Sequence, residues 1–107
     1  MSFVVEYSQN ALDEIAGSYR WILERSPQSA AEWRVRLLAT IATLTKTADT
    51  HRHIPEDVAR GRDIRQLLFG KRRGQCRVIY VIEGRKARIL SLRHSFREPL
   101  REGDLPL

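Results

Sequence analysis

Three short segments hold side chains that could act on a phosphate: Arg65 in Asp63-Ile64-Arg65, Arg77 in Cys76-Arg77-Val78, and His94 with Arg97 in Arg93-His94-Ser95-Phe96-Arg97. An imidazole titrates near neutrality, so His94 can take or give a proton. A guanidinium grips phosphate through two parallel N–H bonds. Together they supply much of what phosphodiester cleavage by RNA's own 2′-oxygen requires: a base, an acid and cations, with no metal or cofactor. His94, Arg77 and Arg97 are the candidate catalytic residues. Arg65, Lys71, Arg72, Arg73, Arg88 and Arg93 are candidate phosphate contacts. For the second proton transfer only Lys71 and Glu83 offer themselves. The plain alternative for His94 is a strand-end side chain that bonds only backbone.

Other reactive residues point elsewhere. His51-x-His53 has no cysteine and no obvious third ligand nearby, so no metal site is expected. Cys76 reads as a packed thiol, and Trp21 and Trp33 as packing residues on or near helical stripes. The chain has no Walker loop, GxGxxG, GxSxG or HExxH, which argues against nucleotide, dinucleotide, serine-hydrolase and zincin chemistry.

The cations are segregated. The chain of 107 residues carries 19 Lys and Arg against 13 Asp and Glu, a net charge of +6. Between Arg60 and Arg97 the only acidic side chains are Asp63 and Glu83. Such a basic half suggests an anionic partner, either nucleic acid or an acidic protein segment. The length fits one domain over 1–107. No apolar run is long enough for a membrane span, no secretory leader is visible, and one cysteine cannot make an internal disulfide. These features predict a compact cytoplasmic protein with no membrane partner.

These side chains must be held by a small set of elements. Residues 3–7 read as a strand, and Ser8 or Asn10 as the N-cap of a helix over 10–25. Ser26-Pro27 restarts a second helix to about Thr47, so the two form a hairpin. Residues 48–62 show no period and read as a polar connection. Strands follow at 64–69, 75–83 and 86–94, the last two joined by Gly84-Arg85. The order β-α-α-β-β-β predicts an α+β fold, an antiparallel sheet with the helical hairpin on one face. With an unbroken register from Gly84-Arg85, Arg77 faces Leu92 and lies diagonal to His94. Cys76, Val78, Tyr80, Ile82, Ala87, Ile89 and Ser91 then face the helices. With Phe69 opposite Gln75, the uncovered face carries Arg65, Arg77, Arg88 and His94 over Leu67, Ile79, Val81 and Leu90.

The three ordered segments, Asp63 to Gly70, Cys76 to Val81 and Ile89 to Arg97, resemble the RelE/ParE superfamily of type II toxin–antitoxin toxins, through "R-x-L-x-x-G", "R-[IV]-x-[YF]" and "R-H-x-x-R". The likeness spans nearly the whole chain. It implies a growth-inhibiting, plasmid stabilisation-like toxin neutralised by a cognate antitoxin. RelE-like members cut mRNA on the ribosome, and here Arg77 matches the strand arginine that braces phosphate, Arg65 the preceding basic strand, and His94 and Arg97 the C-terminal position. ParE-like members poison DNA gyrase without a recognised catalytic set. Glu98-Pro99-Leu100 stands where many RelE-like chains carry a tyrosine, and the lysine-rich second strand is absent. These departures favour the gyrase-directed form, while His94 favours a ribosome-dependent mRNA endoribonuclease, which is the expected function by a small margin. The alternatives are a gyrase poison acting by contact and a non-toxic antitoxin-binding protein.

Overall fold

Strand β1 (Val4–Tyr7) passes through Ser8 into α1 (Gln9–Arg25). The Ser8 hydroxyl accepts the Ala11 N–H at 3.0 Å, so Ser8 and not Asn10 caps the helix. The computed structural model describes residues 2–107. Ser26 caps α2 (Pro27–Ala42), taking the Ser29 N–H on its hydroxyl, with proline at the helix start. A short α3 (Leu44–Thr47) and a 3-10 turn at Ala48–Thr50 complete the helical half. The connection then leads to β2 (Asp63–Phe69), a 3-10 turn at Arg72–Gly74, β3 (Cys76–Glu83) and β4 (Lys86–His94).

The sheet order is β1-β4-β3-β2. The β2–β3 and β3–β4 pairs are antiparallel, but β1 runs parallel to β4, so the sheet is mixed where a wholly antiparallel one was expected. Short hairpin links force neighbouring strands to run antiparallel, whereas β1 is separated from β4 by most of the chain and is free to return in either direction. The order of elements and the α+β class are as expected.

One face of the sheet packs on the helices through Leu67, Val78, Tyr80, Ala87, Ile89 and Leu92, against Ala11, Ile15, Leu37, Ile41 and Leu44. The other face is covered too, which corrects the open floor expected there. Ile64, Ile79, Val81 and Leu90 are buried beneath Ile54 of the connection and Leu100 and Leu105 of the C-terminal segment. Leu67, expected on that floor, is on the helical side. Both faces therefore contribute to the apolar burial that stabilises the sheet.

Candidate basic interface

Two shifts in register decide where the cations go. Between β3 and β4 the pairs run Tyr80↔Ile89 and then Ile79↔Ser91, so Leu90 is an extra residue on β4. Such a bulge moves every later side chain to the opposite face. Arg77 consequently faces Arg93, Val78 faces Leu92, and His94 faces Cys76. Leu92 rather than Ser91 joins the helical core. Between β2 and β3, Phe69 pairs with Cys76 and not Gln75. Arg65 therefore lies opposite Tyr80 on the helical side, and Arg77 lies opposite Leu68 on the other. The expected gathering of Arg65, Arg77 and His94 on one open face does not form.

Helix α1 holds the bulge in place. The freed Leu90 carbonyl accepts from the Ser8 hydroxyl at 3.2 Å and the Asn10 amide at 2.9 Å. Glu14 Oε1 accepts from the Ser91 hydroxyl at 2.8 Å and the Leu92 N–H at 3.2 Å. Ladder groups that lost strand partners are thereby satisfied by side chains.

Three of the candidate arginines have internal partners. Arg77 is 8% exposed. Its Nη atoms donate to both carboxylate oxygens of Glu56 at 2.8 and 2.7 Å, and Nε donates to Gln66 Oε1 at 2.8 Å. Burial works to raise the Glu56 carboxyl, but its bonds to Arg77 and the Leu100 N–H outweigh this and hold it down to about 2. Arg65 donates to Asp63 and to the carbonyls of Asp49 and His51. Asp63 also binds His53 Nε2 at 2.8 Å; burial opposes ionisation there, but Arg65 and His53 keep its carboxyl lowered. Arg93 is buried and donates twice to the Glu98 carbonyl.

All the remaining candidates but Arg88 collect at one end of the sheet. Lys71, Arg72 and Arg73 are exposed in the β2–β3 turn, and Arg97 is exposed just past β4. His94 joins these two parts. Its Nε2 bonds the Arg73 carbonyl, and its Nδ1 accepts the Phe96 N–H at 3.2 Å. A carbonyl only accepts and an amide only donates, so these bonds assign the hydrogen to Nε2 and the lone pair to Nδ1. Both nitrogens bond backbone, as in the plain reading of this histidine. Across from it, burial pushes the Cys76 thiol up, which favours its protonated form. Arg97 also lines a cleft of about 220 Å³ with Arg93, Arg101, Glu98, Pro99 and Asp104. Arg88 is half-buried on Arg77's face, beside Glu6 of β1.

The turn that displays these cations is strained. Arg72 has φ 51° and Gly70 φ 87°. A Cβ on Gly70 would meet the Gly74 carbonyl oxygen at 2.8 Å, so only glycine fits there.

Glu56, Gln66 and Glu14 carry no sequence signal that marks them as partners of these residues. Glu56 lies in an aperiodic stretch, where nothing in residue spacing shows which way a carboxylate points. No protein-family model matches the sequence, and no curated protein does. Among solved structures, a chain titled "Chromosomal ParDE TA system from P. aeruginosa" is similar to this one, with a TM-score of 0.70 at 15% identity over 87% of this chain and 96% of that chain. At that identity the likeness is one of fold: the β-α-α-β-β-β arrangement expected from the sequence is shared with that ParDE chain.

Proposed function

We propose that this chain is the toxin of a type II toxin–antitoxin pair and that it acts through the basic end of its sheet. The observation that carries the reading is the exposed set Lys71, Arg72, Arg73 and Arg97 around His94, on a fold shared with a ParDE chain. Exposed arginines in a water-facing turn are suited to phosphate and to carboxylate alike. The same end would therefore meet an anionic target and be covered by acidic side chains of the antitoxin. In the ribonuclease form of this reading, His94 serves as acid or base on ribosome-bound mRNA, with Arg73 and Arg97 as the accessible cations. Its ring must first give up one backbone bond.

A second reading, a poison that binds DNA gyrase without chemistry, is supported by a different observation. Arg77, Arg65 and Arg93 are all bonded internally, and both His94 nitrogens are occupied. A binding surface needs only the exposed cations.

Induced expression without antitoxin separates the two. His94→Gln keeps a donor for the Arg73 carbonyl and removes proton transfer. New mRNA 5′ ends within translated codons, absent in His94→Gln, are expected for the ribonuclease. Growth arrest with intact mRNA and blocked supercoiling would replace it by the gyrase reading. No arrest from the folded protein would overturn the toxin assignment and leave an antitoxin-binding protein.

A further inference from the structure

Each nitrogen of the Arg77 guanidinium donates one bond within the chain: two to Glu56 and one to Gln66. The Glu56 contact has the paired geometry that an arginine makes with a phosphate. Directly opposite stands Arg93, a second buried guanidinium. Its own guanidinium is turned to the Glu98 carbonyl, so the Glu56 carboxylate is the one anionic partner recorded on Arg77 among the described residues. Glu56 comes from the connection between the 3-10 turn and β2, a stretch without regular structure except where it touches the β2 edge. The same carboxylate accepts the Leu100 N–H at 2.9 Å, tying down the C-terminal segment. That segment is otherwise held by Leu100 and Leu105 in the second core, by Arg93 on the Glu98 carbonyl, and by the exposed pair Arg60–Glu102.

We infer that Glu56 is a built-in competitor for Arg77, so that an anion of the phosphate class and the Glu56 carboxylate exclude one another there, and entry of the anion releases the C-terminal segment. One group does both jobs. When Arg77 turns to an external anion, Glu56 is left beside like charge and loses its main partner, and the Leu100 tie goes with it. This stands on the geometry of Arg77, Glu56 and Leu100, whichever target the basic end has.

The test uses the full chain with inorganic phosphate as probe and chloride at matched ionic strength as control. Glu56→Gln removes the competitor and leaves Arg77 buried without its counter-charge. Its thermal midpoint should fall in chloride and recover in phosphate, by on the order of 10 °C at saturation. Wild type and Glu56→Gln/Arg77→Gln should recover far less. Hydrogen exchange at the Leu100 amide should be faster in Glu56→Gln than in wild type. Equal phosphate responses in Glu56→Gln and the double variant would overturn the inference, because general salt stabilisation needs no Arg77. If Glu56→Gln does not fold in chloride, refolding is carried out in phosphate. Recovery there supports the competitor role, and failure in both salts overturns it.

Discussion

His94 stands opposite Cys76, not diagonal to Arg77 on an open face, because β4 carries one more residue than β3 at Leu90. That single insertion separates the imidazole from the strand arginine. It puts His94 on the side of Cys76, bonding the Arg73 carbonyl at the sheet's end, while Arg77 on β3 keeps its face and meets Glu56. The chemistry available to this protein follows from the bulge more than from its list of basic residues.

The bulge is held by Glu14, so Glu14→Ala should destabilise the fold although Glu14 is only half-buried. It leaves the Leu92 N–H without its partner and removes bonds from Ser91 and Asn10. The expected loss is about 1–3 kcal/mol. Urea unfolding should show a lower midpoint at unchanged slope. A midpoint equal to wild type would mean that the strand register holds itself.

The Glu56–Arg77 pair gives stability a defined acid limit. The Glu56 carboxyl lies at about 2 in the folded chain, against an ordinary value of 4.5. Because the folded value is depressed, the contribution is complete above about 4.5 and is lost as pH falls towards about 2. With both side chains 10% exposed, the full contribution is about 3 kcal/mol. Asp63, also lowered, adds with the same sign. Unfolding free energies of wild type should therefore fall across this window more steeply than those of Glu56→Gln. Parallel curves would show that the pair does not govern acid stability.

Gly70→Ala should cost about 1–3 kcal/mol, combining a positive φ with a backbone contact that cannot yield. Gly84→Ala, at φ 63° with open space around it, is the control and should cost about 1 kcal/mol. A thermal midpoint for Gly70→Ala no lower than for Gly84→Ala would show that the β2–β3 turn can rearrange.

Arg72→Glu with Arg73→Glu should leave stability within about 0.5 kcal/mol, since both side chains are exposed. It should slow association with an acidic antitoxin, and the wild-type rate should fall as salt rises while that of the variant changes little. Stopped-flow binding at two salt concentrations reads both effects. Rates indistinguishable from wild type would remove the basic end from the interface.

Much of the fold was legible in the residues. Ser8 and Ser26-Pro27 mark helix starts through local capping chemistry, Gly84-Arg85 marks a tight hairpin, and the apolar periods separate helices from strands. The three ordered segments led to the right architecture, because local propensities and short links act between near neighbours. The bulge is not legible in this way. Whether β4 takes one extra residue at Leu90 depends on Ser8, Asn10 and Glu14, some eighty positions away, which supply the bonds that the ladder lost.

The sequence by itself determined the elements, their order and the segregation of basic charge into the second half. Tertiary structure alone decided which of those charges meet solvent. Side-chain direction along a strand has a period of two, so one displaced residue reverses every assignment beyond it. A buried guanidinium must find an acceptor, and Arg77 found Glu56 in a stretch with no period to read. Pairing of that kind is settled by which segments fold over the sheet. Of the candidate cations, Lys71, Arg72, Arg73 and Arg97 remain exposed once those internal partners are taken.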